Sequence, residues 1–291
     1  MRQFNVSERV RGGLFFAAAA LSLSPMVSVT TWNINSVRLR LPIVERFLKD
    51  EAPDVLCLQE IKCQEHQFPY EALAALGYKY TAVHGQKGYH GVATISRLPL
   101  TEYSRHDWQA NGEARHVGVE LEGSGMRIDN VYVPAGGDEP DRYKNPKFGQ
   151  KLDFLARMTD WASAIDTNGN AGTLIVGDFN IAPLPSDVWG HKQLLKVVSH
   201  TPIECETLDR FKSAHDWVDV GREFIKDPDR YYSWWSYRSK DHKANDRGRR
   251  LDHMWASPAL AAKATGHRIL EDARSWEKPS DHIPLTTEFD L

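Results

Sequence analysis

The sequence predicts a globular domain of the α/β or α+β class, and three observations support this prediction. Short β-rich segments alternate with segments whose apolar residues recur at helical spacing between residues 27 and 291. The composition, 41% hydrophobic and 26% charged, is that of a globular protein, and 291 residues can bury a large core. No stretch between residues 27 and 291 has the composition of a linker, so we expect a single domain there.

Residues 1–26 form a separate N-terminal extension. Three arginines precede the apolar stretch 13–21, which is the composition of a secretory signal peptide. The alternative is that Met26 is the true start, because a strand-like pattern begins directly at Val27. Both alternatives leave the domain at 27–291 unchanged.

Cysteine usage and hydropathy bear on the compartment. Cys57, Cys63 and Cys205 are too few for a disulfide framework and lack the spacing of a zinc site. We therefore expect reduced thiols and a cytoplasmic, nucleoid-associated protein, while the signal-like residues 1–26 leave secretion open. No apolar run reaches the ~18 residues of a membrane span, so we expect no membrane partner.

The candidate strands are segments rich in β-branched and apolar residues. They cover residues 27–32, 55–59, 80–84, 92–96, 116–121, 127–133 and 173–178. Residues 41–50 and 147–165 show helical spacing, the second through Phe148, Leu152, Leu155 and Trp161. Pro42 falls in the first turn of the first helix, where its missing N–H costs little.

Several nucleotide-binding and hydrolase motifs are missing from the sequence. There is no GxGxxG, no GxxxxGK[ST] and no GxSxG, which argues against dinucleotide, P-loop and serine-hydrolase chemistry. Polar residues instead follow the ends of apolar strands, where reactive groups commonly lie on a sheet scaffold.

Glu60 leaves an apolar strand in the sequence Leu58-Gln59-Glu60. A carboxylate there is costly unless it is compensated, and a hard divalent cation would compensate it. The alternative is an exposed acid that pairs with Lys62.

Asp178 and Asn180 follow the apolar segment 173–176 and are two residues apart. In extended backbone such residues face the same side. One could take a proton from water while the other donates to a developing oxyanion, although a plain Asp/Asn turn is an equally good explanation.

Asp281 and His282 precede the apolar end of the chain. Neighbours on a strand face opposite ways, so a more distant acid must orient His282, and Asp252 is a candidate. A surface Asp-His pair is the alternative.

The segment 238–250 is basic and follows three aromatic residues. Its six basic residues suit phosphate contacts, and the aromatic rings suit stacking on an exposed base or sugar. A solvated loop is the alternative. The basic residues are Arg238, Lys240, Lys243, Arg247, Arg249 and Arg250. The overall net charge of −3 argues only against indiscriminate coating of nucleic acid.

As a set, six segments resemble the exonuclease III family, the Mg²⁺-dependent AP endonucleases of the endonuclease/exonuclease/phosphatase superfamily. They are TWNIN (31–35), LQE (58–60), NVYVP (130–134), GDFNI (177–181), RLD (250–252) and SDH (280–282). The segment SWWSYR (233–238) favours this branch over sphingomyelinase, inositol-phosphatase and DNase I-like relatives. The resemblance implies a four-layer sandwich of two packed, mostly antiparallel β-sheets flanked by helices.

The resemblance also implies roles for individual residues. The implied metal ligands for Mg²⁺, which Mn²⁺ can replace, are Glu60 foremost, then Asn33, Asp281, Asp178, Asn180 and His282. The implied catalytic residues are Tyr132, Asp178, Asn180, Asp252 and His282, with the choice of Asp178 or His282 as base left open. The implied substrate contacts are Asn35, Trp234, Arg249 and Leu251. Arg249 departs from the family, which often has an apolar or aromatic residue there, in the wall of the abasic-sugar pocket.

The function implied is that of a monomeric DNA-repair phosphodiesterase. Such an exodeoxyribonuclease III would cut duplex DNA 5′ to abasic sites, degrade it from 3′ ends and clean blocked 3′ ends. A rival of the same fold would act on a lipid or inositol head-group, which the signal-like N-terminus favours. A non-catalytic DNA-binding module predicts loss of Glu60, Asp178, Asn180 or His282, and all four are present.

Overall fold

The computed structural model describes residues 26–165, 172–238 and 241–291. The predicted extension therefore lies outside the described residues, apart from Met26. The strands are β1 Met26–Asn33, β2 Val55–Gln59, β3 Tyr80–His84, β4 Val92–Ser96, β5 Leu100–Ser104, β6 His116–Leu121, β7 Arg127–Tyr132, β8 Thr173–Asp178, β9 Val218–Asp219, β10 Asp252–Ala256, β11 Ala264–Ile269 and β12 Leu285–Asp290. The helices are α1 Leu41–Asp50, α2 Tyr70–Ala74, α3 Pro146–Ser163, α4 His191–Leu194, α5 Pro202–Ser213, α6 Val220–Phe224, α7 His242–Asn245 and α8 Pro258–Ala261. Short 3₁₀ turns occupy Glu65–Gln67, Pro185–Asp187 and Glu271–Ser275.

The strands form two six-stranded sheets with the same pairing pattern. One sheet has the order β11-β12-β1-β2-β4-β3 and the other β5-β6-β7-β8-β10-β9. Within the described residues, each sheet has one parallel pair, β1 with β2 and β7 with β8, and its other neighbours are antiparallel. Because parallel strands end at the same edge, each sheet brings two strand ends together near its centre.

Apolar side chains arrange these sheets in four layers. One core cluster lies between the sheets and joins residues such as Val29 of β1 to Leu174 of β8. A second packs α1 against the outer face of the first sheet, and a third packs α3 and α5 against the outer face of the other. The predicted α/β class and four-layer sandwich are thus confirmed.

The two predicted helices form largely as expected. Helix α1 has the predicted bounds, carries Pro42 in its first turn and buries Val44 and Phe47. Helix α3 begins one residue earlier than predicted and ends at Ser163, and the side chain of Asn145 caps its N-terminus by accepting from the backbone N–H of Lys147.

Two further features concern the cysteines and the helices. Cys57, Cys63 and Cys205 are free thiols, and burial raises the pKa of the Cys57 thiol to about 12. In the described part of the chain, no helix is long and apolar enough to cross a membrane.

A buried ion pair ties α3 and α5 to the loop after β8. Lys151 and Glu204 are both fully buried and form a salt bridge. Lys151 Nζ also donates to the carbonyl oxygen of Asn180 (2.8 Å), while Glu204 accepts from Ser199 N (2.9 Å) and from Thr201 Oγ1 (2.6 Å). Both charges are therefore compensated, and the loop that carries Asn180 is fixed to the helical layer.

We predict that Lys151→Met destabilises the protein by about 3–5 kcal/mol, because it leaves the Glu204 carboxylate buried without its cation. Urea unfolding followed by circular dichroism measures the change. Lys147→Met, an exposed lysine on the same helix, is the matched control and should leave the midpoint unchanged. Equal midpoints for the two variants would contradict the role of the ion pair.

Candidate active site

Strand ends of both sheets meet at one rim of the sandwich. Asn33 ends β1 and Glu60 follows β2 in the first sheet, while Tyr132 ends β7 and Asp178 ends β8 in the second. Gly177, in a left-handed backbone conformation (φ +144°), lies so close to Val131 that a Cβ there would overlap the carbonyl oxygen of Val131. Glycine is thus required immediately before Asp178.

One amide group connects the carboxylates of the two sheets. Asn33 Nδ2 donates to Glu60 Oε1 at 3.0 Å and to Asp178 Oδ2 at 2.9 Å. Asn33 is fully buried, and Asp178 is 1% exposed. Both hydrogens of a single amide therefore fix the spacing of two acidic groups that the chain places 118 residues apart.

Glu60 is held by three side chains from three directions. Besides the Asn33 amide, Tyr132 donates its hydroxyl to Glu60 Oε1 (2.8 Å), and Lys62 Nζ lies 2.8 Å from Oε2. Burial alone would raise the pKa of Glu60, but the Lys62 charge and these hydrogen bonds lower it below its ordinary value. Glu60 is therefore a carboxylate at neutral pH. The Lys62 pairing, which we weighed as an alternative, is present within the site.

Asp281 joins this cluster through Asn35. Asn35 Nδ2 donates to Asp281 Oδ1 at 3.1 Å, and Trp234 Nε1 donates to Asp281 Oδ2 at 3.0 Å. Lys62 Nζ donates to Asn35 Oδ1 at 2.5 Å, which connects Asp281 to the surroundings of Glu60. Burial acts to raise the pKa of Asp281, but His282 and the Trp234 and Asn35 hydrogen bonds lower it.

His282 lies between two acidic side chains from the second sheet. Its Nδ1 is 2.7 Å from Asp252 Oδ2, and its Nε2 is 3.7 Å from Asp178 Oδ2. Ser233 Oγ donates to the same Asp252 oxygen at 2.6 Å and accepts from the backbone N–H groups of Leu251 and Asp252. Asp252 is thus fixed beside the imidazole, whereas the hydrogen bonds of the Asp281 carboxylate are to Asn35 and Trp234.

The pKa values of His282 and Asp178 are strongly shifted. Burial alone would lower the pKa of His282, but the Asp252 and Asp178 carboxylates raise it to about 10. Burial raises the pKa of Asp178 to about 7, although the His282 charge acts to lower it. At neutral pH, His282 is therefore a cation, while Asp178 is close to its midpoint.

Asn180 contacts Asp178 directly. Its backbone adopts the left-handed conformation (φ +54°), and its Nδ2 donates to Asp178 Oδ2 (3.1 Å) and to the carbonyl of Val133 (3.0 Å). The turn brings the amide and the carboxylate to the same edge of the site.

A cleft of about 780 Å³ opens over these groups. Glu60, Tyr132, Asp178, Asn180, Trp234, Arg249, Leu251, Asp281 and His282 all line it. Beside the polar groups, Trp234 and Leu251 pack with Trp189 and Val197 in an apolar cluster. The structure thus brings together nearly all residues singled out in the sequence, with Asn33, Asn35 and Asp252 behind the lining through their hydrogen bonds.

The basic segment 238–250 is only partly as expected. Arg238 and Arg247 are exposed and line the cleft, but Lys243 pairs with Asp272 on the surface, and Lys240 lies outside the described residues. Arg250 does not belong to a basic surface. It is fully buried and pairs with Asp219 (2.5 Å) and Asp187 (3.7 Å), because a buried guanidinium needs anionic partners.

Sequence reasoning missed two residues that position others. Ser233 fixes Asp252, and Arg115 donates to the carbonyl of Tyr132 (3.2 Å) with its guanidinium 4.8 Å from the centre of the Tyr132 ring. Ser233 opens the segment SWWSYR, but no local pattern assigns a positioning role to it or to Arg115, because each acts on a residue at a distant position in the chain.

Fold and site together define a hydrolase of phosphate esters, with carboxylates, amides and a charged histidine converging on one cleft. The chain belongs to the Endonuclease/Exonuclease/phosphatase family, whose sequence model matches residues 30–282. The family resemblance inferred from the six segments is confirmed.

Relatives of known structure or activity agree with this membership. The exodeoxyribonuclease III of Haemophilus influenzae is 33% identical over 269 residues, which cover 89% of this chain and 98% of the relative. A 3′ phosphatase from Neisseria, solved with a product DNA hairpin, is 31% identical with a TM-score of 0.83, covering 91% of this chain and 100% of its own. An AP endonuclease from Archaeoglobus fulgidus is 30% identical with the same TM-score and coverage.

We predict that Asp252→Asn lowers the pKa of His282 from about 10 toward the ordinary range of histidine, because the Asp252 charge is what chiefly raises it. The amide retains an oxygen that can accept from Nδ1. An NMR titration of labelled histidine rings measures the shift. Asp272→Asn, at an exposed carboxylate, is the control; an unchanged His282 titration in Asp252→Asn would contradict the assignment.

Proposed function

We propose that the protein is a DNA-repair nuclease that cuts duplex DNA 5′ to abasic sites, degrades it from 3′ ends and removes groups that block those ends. The enzyme class, a hydrolase of phosphodiester bonds in DNA, is shown by the family and by the exodeoxyribonuclease III relative. The observation that carries the proposal is the pair of carboxylates, Glu60 and Asp178, held by one Asn33 amide beside the charged His282.

The donor set around Glu60 fits a divalent metal. Glu60, Asn33 and Asp281 offer oxygen atoms, the ligands that Mg²⁺ prefers, and Glu60 is ionised for the reason given above. Ligand atoms of Asp178, Asp252 and His282 also lie within 4.8 Å of one another. The imidazole there already bonds Asp252 and is charged, which makes that group the poorer choice for a hard cation.

We therefore assign Mg²⁺ to Glu60, Asn33 and Asp281, with Asp178, Asn180 and His282 at the edge of that site. Mn²⁺, which accepts the same ligands, should replace it. When bound, the ion would supply positive charge to the phosphate and the leaving oxygen.

Asp178 is the better candidate for the general base. With a pKa of about 7, it can accept a proton from the attacking water near neutral pH. His282 already carries its proton, so it cannot take another and instead offers Nε2–H and positive charge to the scissile phosphate. The difference between the two pKa values thus separates the two roles.

Tyr132 and Asn180 complete the polar contacts. Burial and the nearby Glu60 raise the pKa of Tyr132 well above its ordinary value, so the phenol stays protonated and acts as a hydrogen-bond donor. The Asn180 amide can donate to an oxygen that gains charge in the transition state. Trp234, Arg249 and Leu251 line the wall where the substrate would lie, and Asn35, behind this wall, would support it through its hydrogen bond to Asp281.

The reaction that follows is hydrolysis of the P–O3′ bond. The water oxygen bonds to phosphorus while its proton passes to Asp178, and the bond to the 3′ oxygen breaks. The 3′ oxygen takes a proton from solvent and becomes a free hydroxyl, Asp178 returns its proton to solvent, and the phosphate stays with the downstream fragment. We further propose that the enzyme acts as a monomer in the cytoplasm.

We predict incision 5′ to a tetrahydrofuran abasic analogue in a duplex oligonucleotide, with Mg²⁺ or Mn²⁺ supporting the reaction and a chelator stopping it. Asp178→Asn should lower the rate about 100- to 10,000-fold, the usual contribution of a general base. Denaturing gel electrophoresis measures the product.

Asp153→Asn, at a half-buried acid of α3 that pairs with Arg142 away from the cleft lining, is the matched control for this assay. If the wild-type enzyme with Mg²⁺ leaves the duplex intact, the proposed substrate is contradicted, and head-group phosphodiesters would then be tested. Full activity of Asp178→Asn would instead contradict the catalytic assignment alone.

We predict that the incision rate falls as the pH falls through about 7, because Asp178 must be ionised to act as a base. Well below this pH the rate should drop about tenfold per pH unit. The pH dependence of kcat/KM measures it, with enzyme held at each pH and then assayed at pH 8 to exclude denaturation. A flat profile across neutral pH would show that Asp178 is not the base.

A further inference from the structure

Arg249 is fixed on the wall of the cleft beside the apolar cluster. Its Nη1 donates to the carbonyl of Val198 (3.0 Å) and to Ser199 Oγ (2.7 Å). Its guanidinium carbon lies 5.4 Å from the centre of the Trp234 ring. These contacts hold the cation in one place, unlike the exposed Arg238.

Among residues 26–165, 172–238 and 241–291, no anionic side chain forms a salt bridge with this guanidinium. Among the residues that the structure describes, Arg249 forms no salt bridge, and its buried Nε has no hydrogen-bond partner. The neighbouring Arg250, by contrast, has two aspartate partners. The charge of Glu204 raises the pKa of Arg249, but Glu204 forms its salt bridge with Lys151. Burial lowers the pKa of Arg249, which nonetheless stays charged at neutral pH. A fixed, uncompensated cation on a cleft wall favours an anionic ligand.

The position of Arg249 relative to the reacting groups defines which part of a substrate it meets. The backbone of Trp234 pairs with that of Arg249 on one side and with that of His282 on the other. Leu251, in the same wall, directly precedes Asp252. The wall therefore adjoins the groups that would hold the scissile phosphate. In the proposed cut 5′ to a lesion, a fragment bonded to that phosphate would lie against this wall.

Building on the proposed function, we propose that Arg249 makes this pocket selective for 3′ blocking fragments that carry a carboxylate, such as a phosphoglycolate end, over uncharged fragments. The guanidinium would donate to the carboxylate while the scissile phosphate is held by His282. Hydrolysis then adds water across the P–O3′ bond, which leaves a 3′ hydroxyl on the DNA and releases phosphoglycolate with its carboxylate intact.

Two matched substrates test this selectivity. Both are duplexes with a 3′ phosphodiester end; one carries glycolate and the other carries the uncharged hydroxyethyl group of similar size. We expect the wild-type kcat/KM to be about tenfold or more higher for glycolate, as for a charge-assisted hydrogen bond. Arg249→Met should bring this ratio close to one, and Arg249→Lys should retain part of it.

Arg247→Met is the matched control, because Arg247 lines the same cleft but lies 4.7 Å over the Trp189 ring and is exposed. Arg247→Met should lower kcat/KM equally for both substrates and leave the glycolate-to-hydroxyethyl ratio unchanged. Melting temperatures of the variants identify any loss of folding, and Arg249→Lys gives a second test if Arg249→Met unfolds.

The outcomes separate this inference from the function on which it rests. If the wild type removes both fragments at equal rates, or if Arg249→Met keeps the wild-type ratio, the role of Arg249 is overturned while the nuclease remains. If the wild type acts on neither end and leaves an abasic duplex intact, the proposed function itself fails.

Discussion

The amide of Asn33 is the contact on which the site depends. Asn33 ends a strand of the first sheet, and its amide donates to a carboxylate from each of the two sheets. The distance between Glu60 and Asp178 therefore follows from how the two sheets pack. A buried amide with both hydrogens bonded has one favourable orientation, and losing either partner would leave a buried donor unsatisfied. The acidic groups repel each other, yet the fold holds them together through this shared donor and the cation of Lys62.

The acidic groups contributed by the two sheets differ in protonation because their surroundings differ. Around Glu60, a lysine and two further hydrogen-bond donors favour the ionised carboxylate, which suits a ligand for a cation. Around Asp178, burial dominates and the group stays near its midpoint, which suits proton transfer. The Asp252 carboxylate keeps His282 charged. Similar side chains therefore acquire different chemistry from their surroundings, as expected where burial and neighbouring charges differ.

Much of the fold could be predicted from local patterns. Strands β2, β3, β4, β6 and β8 have the predicted bounds. Strands β2, β4 and β8 are buried throughout, whereas the edge strand β3 buries only Ala82 and Val83 and was predicted from its β-branched and aromatic residues. Strand β5 escaped prediction because it lies at a sheet edge and is largely exposed, and β9 is only two residues long. Glu60, Asp178 and Asn180 were predicted from their positions after strands, and most other site residues were named from the family resemblance. The role of Ser233 depends instead on its contacts across the sheet. Arg250 resembled a surface cation because charge in a sequence does not reveal burial, which here is set by Asp219 and Asp187.

Because the two sheets have the same pairing pattern, the catalytic rate depends on how the sheets are aligned. Each sheet contributes the ends of its own parallel pair, so neither contains a usable set of reactive groups by itself. The packing of the apolar layer between the sheets, which includes Val29 and Leu174, therefore sets the relative position of the two halves of the site. A methyl-sized void in that layer would shift one half of the site against the other before the domain unfolds. The catalytic rate of this protein should therefore respond to small changes in core packing that leave its melting temperature nearly unchanged.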